Sequence, residues 1–211
     1  IGVCNMIRVK GRTTSGNVMK VTWILEELNL PYDREDVGGK FGKNKDQDYL
    51  DLNPMGLVPT FIDGDTVLWE SNTIVRYVAN KYSAGNMAPN DLGERAKLEL
   101  WMDWQLFAIN PMMRPVYHGI IRTKPEDRNW DEINRNIDRG NELWAMLDKH
   151  LEGKEFIGGD KLTIADFPLG PVIHRFHAIT ENRPSTPNVD RWYNNLKKSE
   201  AYQKIVMIPL E

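Results

Sequence analysis

The chain has 211 residues, of which 41% are hydrophobic and 27% are charged, with a formal net charge of −3. These numbers allow a packed core in one large or two small domains, and the absence of a basic excess argues against a nucleic-acid partner. No apolar run is long enough to span a bilayer, so we also expect no membrane partner.

The sequence contains one cysteine, Cys4. A single cysteine cannot form an internal disulfide, which favours a reducing compartment, and we therefore expect a cytoplasmic protein. Residues 1–5 lack the charged start and the apolar stretch of a signal peptide. Because Met6 is a natural start for the first predicted strand, we interpret residues 1–5 as an extension.

The first 82 residues are predicted to alternate between strands and helices. A strand at 6–10, a helix from Asn17 and a strand at 32–37 form a βαβ unit, since the apolar residues after Asn17 have helical spacing. The elements predicted after this unit are a short helix near 49–52, strands at 59–62 and 66–69 around the hairpin signal Asp63-Gly64-Asp65, and a helix from Ser71. The predicted order is βαβαββα.

The second half of the chain is predicted to be all α-helical. Residues 83–92 contain glycine and proline and few large apolar groups, which is typical of a linker. Helical spacing then predicts helices at 93–109, 126–151, 163–178, 188–197 and 200–206. The pair Thr163 and Asp166 resembles a capping box. We therefore expect domains at 1–82 and 93–211, joined by the linker.

The dipeptide Val58-Pro59 opens a predicted strand. Only X-Pro bonds adopt the cis form at modest energy, and proline at a strand start suits an edge or a bend. A cis bond would expose the N–H and C=O groups of Val58 to an extended peptide ligand. The alternative is an ordinary trans proline.

Glu70 and Ser71 stand where the last helix of the first domain is predicted to begin. A helix N-terminus attracts a carboxylate through its free N–H groups and its dipole, and Glu70 can hold an ammonium group. An α-amino acid carries both charges on one carbon. The alternative role of Ser71 is that of an N-cap.

Together these segments resemble the cytosolic glutathione transferase (glutathione S-transferase) family over nearly the whole chain. The motifs that carry the resemblance are Asn53-Pro54-Met55-Gly56-Leu57-Val58-Pro59, Leu68-Trp69-Glu70-Ser71-Asn72-Thr73-Ile74, and Phe156-Ile157-Gly158-Gly159-Asp160 with Leu162-Thr163-Ile164-Ala165-Asp166. The resemblance implies a thioredoxin-like N-terminal domain followed by an α-helical domain.

The resemblance also implies a binding site for glutathione as co-substrate. In it Pro59 is cis, the Val58 backbone pairs with the cysteinyl part, and Glu70 and Ser71 bind the γ-glutamyl end. Further residues assigned to glutathione in this way are Asn72, Gly56, Leu57 and, for the glycyl carboxylate, Lys43. A solvated loop is the alternative for Lys43.

Family members need a hydrogen-bond donor at the start of the first helix to activate the thiol. The helix register places Ser15 at the position of a catalytic serine, with Thr14 and Asn17 as alternatives. The resemblance is thus to bacterial members with Ser, Thr or Asn, rather than Cys or Tyr, at this position. Ser15 or Asn17 could instead be a helix cap. Cys4 is badly placed for thiol exchange.

Three residues of the helical half, Arg114, Tyr117 and His118, are candidates for the electrophile pocket. His174 and His177 are one helical turn apart but have no evident third ligand, so we expect no metal site.

The resulting hypothesis is a homodimeric glutathione transferase of the detoxification type that directs a glutathione thiolate at a small hydrophobic electrophile, by conjugation or dehalogenation. The alternatives are glutathione-dependent disulfide or peroxide reduction, and a non-catalytic module for protein contacts.

Overall fold

The computed structural model describes residues 6–181 and 183–211. The expectations about Cys4 and residues 1–5 fall outside these ranges. The chain divides into two compact units, the first ending at Asn86 and the second running from Met87 to Glu211. Across the described residues, every helix is too short or too polar to cross a membrane.

The first unit is built from strands and helices in the predicted order. Its elements are β1 (Ile7–Lys10), α1 (Gly16–Glu27), β2 (Tyr32–Glu35), a 3₁₀ turn (Gly39–Phe41), α2 (Gln47–Leu50), β3 (Thr60–Asp63), β4 (Thr66–Trp69) and α3 (Ser71–Tyr82).

These strands form one four-stranded mixed sheet in the order β2-β1-β3-β4. β1 pairs in parallel with β2, with Val9 opposite Arg34, and antiparallel with β3, with Val9 opposite Phe61. β3 and β4 form the hairpin that the Asp-Gly signal predicts. α1 packs against α3, and Trp23 is fully buried on α1. The thioredoxin-like prediction is confirmed.

The second unit is helical, as predicted. Its elements are α4 (Leu92–Trp104), a π segment (Gln105–Ile109), α5 (Asn110–Tyr117), a second π segment (His118–Arg122), a 3₁₀ turn (Pro125–Asp127), α6 (Trp130–His150), α7 (Asp166–Ile179), α8 (Pro187–Leu196) and α9 (Glu200–Ile205).

The start of α7 differs from the prediction, because the helix expected from Thr163 begins at Asp166. The side chain of Asp166 still bonds back as a capping box would, accepting from the Thr163 N–H at 2.8 Å. It also accepts from the Ile157 N–H at 3.0 Å and from Trp192 Nε1 at 2.9 Å. The buried side chain of Asp166 therefore joins the start of α7 to α8 and to residues 157–163, which precede α7.

Candidate active site

Ser15 lies immediately before α1, at the end of the loop that follows β1. Its backbone is extended (φ −80°, ψ 121°) and its side chain does not cap the helix. The residue is only 8% exposed, yet its hydroxyl has no hydrogen-bond partner in the described part of the chain. A nearly buried hydroxyl without a protein partner is available to a ligand at a helix N-terminus.

The two alternative donors differ from Ser15 in their surroundings. Asn17 is exposed in the first turn of α1, and Thr14 is half-buried in the preceding turn. Both lie within two residues of Ser15, so the structure brings all three predicted donors to one helix start.

The turn before β3 contains the Val58–Pro59 bond, which is cis, as the family resemblance implies. The C=O of the neighbouring Leu57 is held by Tyr49 Oη at 2.6 Å and by Asn53 Nδ2 at 2.8 Å. The N–H of Val58, in contrast, has no partner among the described residues. The turn therefore fixes Leu57 and leaves the Val58 N–H open to an incoming acceptor.

Gly11 allows this turn to approach the loop that leads to Ser15. A Cβ atom on Gly11 would lie 3.2 Å from Cβ of Val58 and 2.4 Å from Cγ2 of Val18. The distance to Val18 leaves no room for a Cβ atom unless something shifts, and the distance to Val58 is tighter than most Cβ contacts, so glycine favours the close approach. The loop after β1 and the turn before β3 are thereby brought together.

Glu70 stands between β4 and α3 with an unusual backbone. Its φ of +70° lies in the left-handed region, where non-glycine residues are rare, and such strain concentrates at ligand sites. Its side chain is exposed and has no ion pair or hydrogen bond within residues 6–181 and 183–211. The acid is therefore available to a cationic group.

Ser71 and Asn72 begin α3 and are both buried. Lys20, on α1, donates from Nζ to Asn72 Oδ1 at 3.1 Å and to Ser71 Oγ at 3.4 Å. Lys20 is 1% exposed, and a cation so placed adds to the positive end of the α3 dipole.

The sequence analysis missed two parts of this site. Lys20 was not selected, although a lysine within an apolar helix pattern, between Val18 and Val21, is a signal that could have been used. The second part is the side-chain support of the turn, in which Asn53 and Tyr49 also bond to Thr60 Oγ1.

The remaining predicted glutathione residues lie on the loop before α2 and in the turn. Lys43 is exposed and forms an ion pair with Glu35 at 3.2 Å. Gly56 has a φ of +60°, and its C=O accepts from Asn44 Nδ2 at 2.8 Å.

The three predicted pocket residues belong to the second unit. Arg114 lies on α5, one helical turn before the adjacent residues Tyr117, which ends α5, and His118, which begins the π segment. Arg114 and His118 are exposed, and Tyr117 is buried. His174 Nδ1 lies 2.8 Å from the Tyr193 hydroxyl. Across the described ranges, no three His, Cys, Asp or Glu side chains cluster as metal ligands would.

The first unit is thioredoxin-like and leaves the Val58 N–H open, and the second unit is helical. Comparison of the chain with known protein families identifies the class of protein that has this arrangement. The chain matches the family models for the glutathione S-transferase N-terminal domain over residues 11–80 and the C-terminal domain over residues 131–195.

Individual relatives agree with the family models. Glutathione S-transferase GstB of Escherichia coli K12 is 38% identical over 207 residues, covering 97% of this chain and all of the relative. Glutathione S-transferase 3 of Zea mays is 30% identical, covering 97% of this chain and 95% of the relative. The crystal structure of a theta class glutathione S-transferase from Xanthomonas axonopodis pv. citri, with glutathione bound, superposes with a TM-score of 0.93 at 37% identity, covering 97% of this chain and 99% of that one.

The chain therefore belongs to the glutathione S-transferase family. It is a glutathione transferase, as the motifs predict, and the reductase and non-catalytic alternatives are not favoured.

Proposed function

We propose that the first unit binds glutathione and that the Ser15 hydroxyl donates a hydrogen bond to its thiolate. The observation that carries this proposal is the partner-free hydroxyl of Ser15, nearly buried at the N-terminus of α1. A serine that served only as a helix cap would bond to its own helix, and Ser15 does not.

In the proposed complex the tripeptide lies along the turn before β3. The N–H and C=O of Val58 pair with the cysteinyl residue, while Gly56, Leu57 and Pro59 shape the turn. Glu70 binds the ammonium group of the γ-glutamyl residue of glutathione. The α-carboxylate of the same γ-glutamyl residue contacts the N-terminus of α3 at Ser71 and Asn72. Lys43 is assigned to the glycyl carboxylate of glutathione. To bind it, Lys43 gives up its exposed ion pair with Glu35.

The energies are adequate for thiol activation. Lowering a thiol pKa of ~8.5 by about two units requires about 2.7 kcal/mol. A hydrogen bond to a charged group contributes about 1.5–3 kcal/mol, and a helix N-terminus adds about 0.3–1 kcal/mol. One hydroxyl and one helix end therefore suffice.

The reaction follows from the thiolate. Glutathione loses its thiol proton to solvent, and the sulfur then attacks an electrophilic carbon. An S–C bond forms as the leaving group departs with its bonding electron pair. Conjugation and dehalogenation are both examples of this substitution.

Ser15→Ala tests the assignment, with Asn17→Ala and Thr14→Val as matched variants of the same helix start. The measurements are turnover of 1-chloro-2,4-dinitrobenzene, the KM for glutathione, and the pKa of bound glutathione from thiolate absorbance. We expect Ser15→Ala to lower kcat at least tenfold and to raise the thiol pKa, with a nearly unchanged KM for glutathione. If Ser15→Ala has no such effect and Asn17→Ala or Thr14→Val has it, the hydrogen-bond donor is Asn17 or Thr14, whichever substitution lowers kcat.

We further propose that the protein is a cytoplasmic homodimer. The support for a dimer is an apolar stripe along α4 and the following π segment, where Leu92 is 77%, Leu100 52% and Phe107 85% exposed. Leu100→Lys should shift the sedimentation coefficient to that of a monomer, whereas Met146→Lys on α6 should not.

The support for the cytoplasm is the single cysteine of the chain, because a protein without an internal disulfide suits a reducing compartment.

A further inference from the structure

A chain of buried side-chain hydrogen bonds ends on the carbonyl oxygen of Leu57, in the turn before β3. Asn53 Nδ2 donates to Thr60 Oγ1 at 3.1 Å, and Thr60 Oγ1 donates to Tyr49 Oη at 2.8 Å. Tyr49 Oη donates to the Leu57 oxygen at 2.6 Å, and Asn53 Nδ2 donates to the same oxygen at 2.8 Å. The three side chains are at most 4% exposed, so these hydrogen bonds are shielded from water.

The direction of this chain follows from the protons that its members can give. Burial raises the pKa of Tyr49, outweighing the hydrogen bonds that lower it, so the phenol keeps its proton at neutral pH. That one proton is donated to the Leu57 oxygen, which has none to give. The phenol oxygen must then accept from the Thr60 hydroxyl, whose own oxygen accepts from the Asn53 amide. All the donors therefore point toward Leu57, and hydrogen bonds in such a chain polarise one another.

The carbonyl of Leu57 and the N–H of Val58 belong to one peptide group. This peptide bond is trans, so its C=O and N–H lie in one plane and point in opposite directions. Two donors hold the C=O toward the buried chain. The N–H, which has no partner among residues 6–181 and 183–211, is therefore directed away from that chain. A rotation of the peptide plane would break both hydrogen bonds, and the polarised C=O makes the N–H a stronger donor.

The other end of the chain is anchored in the sheet. Thr60 is the first residue of β3 and pairs with Lys10 of β1 and Trp69 of β4. Trp69 directly precedes Glu70 in the sequence. The sheet position that supports the Leu57–Val58 peptide is therefore also next to the residue proposed to hold the γ-glutamyl ammonium.

We propose that Tyr49 and Thr60 are positioning residues for glutathione, which fix the Leu57–Val58 peptide so that its N–H meets the cysteinyl C=O. This inference rests on the proposed function, in which Val58 pairs with the cysteinyl residue. Both side chains lie behind the turn and act on the tripeptide through the peptide plane. They affect binding and not the thiol, which is assigned to Ser15.

Removing single hydroxyl groups tests this role. Tyr49→Phe and Thr60→Val nearly keep the shape of the side chain and break the chain of hydrogen bonds at two points, so the test stands if one variant does not fold. Thr60→Ser keeps the hydroxyl. Tyr82→Phe is the matched control, because it removes a phenol in the same unit that donates to Asp63 at 2.7 Å and has no part in the turn.

The measurements are the KM for glutathione, kcat at saturating glutathione and the pKa of the bound thiol. We expect the KM to rise about threefold to tenfold in Tyr49→Phe and Thr60→Val, as the loss of a neutral hydrogen bond predicts. It should stay within about twofold of the wild-type value in Thr60→Ser and Tyr82→Phe. In all four variants kcat and the thiol pKa should stay near their wild-type values, because Ser15 is unchanged.

A glutathione analogue tests whether the effect passes through the Val58 N–H. Glycolic acid in place of glycine turns the cysteinyl amide into an ester, whose C=O is a weaker acceptor, and keeps the thiol and both carboxylates. The analogue should have a higher KM than glutathione with the wild type. The ratio of the two KM values should fall at least about twofold in Tyr49→Phe and Thr60→Val, because the hydrogen bond is already weakened there. Tyr82→Phe should keep the wild-type ratio.

Wild-type KM values for glutathione in both Tyr49→Phe and Thr60→Val would overturn the positioning role, and a lower stability in urea would then assign the chain to the fold alone. A raised KM with the wild-type ratio for the analogue would also overturn it, because the loss would not involve the Val58 N–H. Both results leave glutathione binding by the wild type intact. A wild type that binds neither glutathione nor the analogue would overturn the proposed function itself.

Discussion

The ammonium group of Lys20 donates a 3.1 Å hydrogen bond to the amide oxygen of Asn72 in the interior of the first unit. The same group lies 3.4 Å from Ser71 Oγ. This contact joins α1, whose N-terminus carries Ser15, to the first turn of α3. Both proposed parts of the glutathione site, the thiol donor and the γ-glutamyl holder, are therefore linked through one buried cation.

Replacing Lys20 should weaken glutathione binding and leave the turnover rate at saturating glutathione nearly unchanged. Lys20→Met keeps a long, flexible side chain in the core but removes the charge and both hydrogen bonds. We expect the KM for glutathione to rise about tenfold, which corresponds to about 1.4 kcal/mol, and kcat at saturating glutathione to change less than about threefold. Steady-state kinetics with varied glutathione provide the measurement.

Lys81→Met is the matched control, because it is the same substitution on α3. Lys81 pairs with Asp63 at 2.6 Å and is 44% exposed. Its replacement should leave the KM for glutathione unchanged. If Lys20→Met also leaves that KM unchanged, Lys20 fills space in the core and has no part in binding.

Asp63 connects β3 to the end of α3 and should control the acid stability of the first unit. It accepts from Lys81 Nζ at 2.6 Å, Tyr82 Oη at 2.7 Å and Tyr77 Oη at 3.0 Å. Burial raises the pKa of Asp63, but these three donors together lower it below its usual value. We expect Asp63→Asn to lower the free energy of unfolding by about 1–3 kcal/mol near neutral pH.

The sign of the pH dependence follows from the lowered pKa. The stabilisation by the ionised Asp63 is fully present above the unfolded pKa of ~3.9 and is lost as the pH falls through the lower folded pKa. The difference between wild type and Asp63→Asn in urea unfolding should therefore shrink below about pH 4. Asp65→Asn, an exposed change in the same hairpin, should show no such difference at any pH.

The sequence analysis predicted the sheet and most helices, because the hairpin signal at Asp63-Gly64-Asp65 and the apolar spacing in α1 and α3 are local. It did not predict α5 or the π segment after it. Pro111 and Pro115 both argue against a helix locally, but Pro111 falls in its first turn and Pro115 is accommodated within α5. The Lys20 contacts were also missed, because the partners are about 50 residues apart in sequence and no periodic pattern brings them together.

The buried Asp166 should be the most sensitive position tested in the second unit. Asp166→Ala leaves the N–H groups of Ile157 and Thr163 and the indole N–H of Trp192 without their acceptor. Unpaired buried donors cost about 1–3 kcal/mol each, so we expect a loss of at least about 3 kcal/mol in the free energy of unfolding. Asp160→Ala, an exposed acid before the same helix, should cost less than about 0.5 kcal/mol in chemical denaturation. Comparable losses for both variants would contradict the assigned role.

Glu70 allows backbone strain and charge to be tested separately. Its φ of +70° is a conformation that glycine adopts without strain, whereas a glutamate there costs of order 1–3 kcal/mol. Glu70→Gly removes both the strain and the carboxylate, while Glu70→Gln keeps the strain and removes only the charge.

If Glu70 is held in this conformation to present its carboxylate to glutathione, the two variants should differ in stability but agree in binding. We expect Glu70→Gly to raise the free energy of unfolding by up to about 1 kcal/mol, because the relief of strain exceeds the added entropy of glycine in the unfolded chain. Glu70→Gln should leave stability within about 0.5 kcal/mol. Both should raise the KM for glutathione about tenfold, since both lose the partner of the ammonium group. A normal KM in Glu70→Gln would show that the carboxylate charge is not used, and the strained backbone would then need a different explanation.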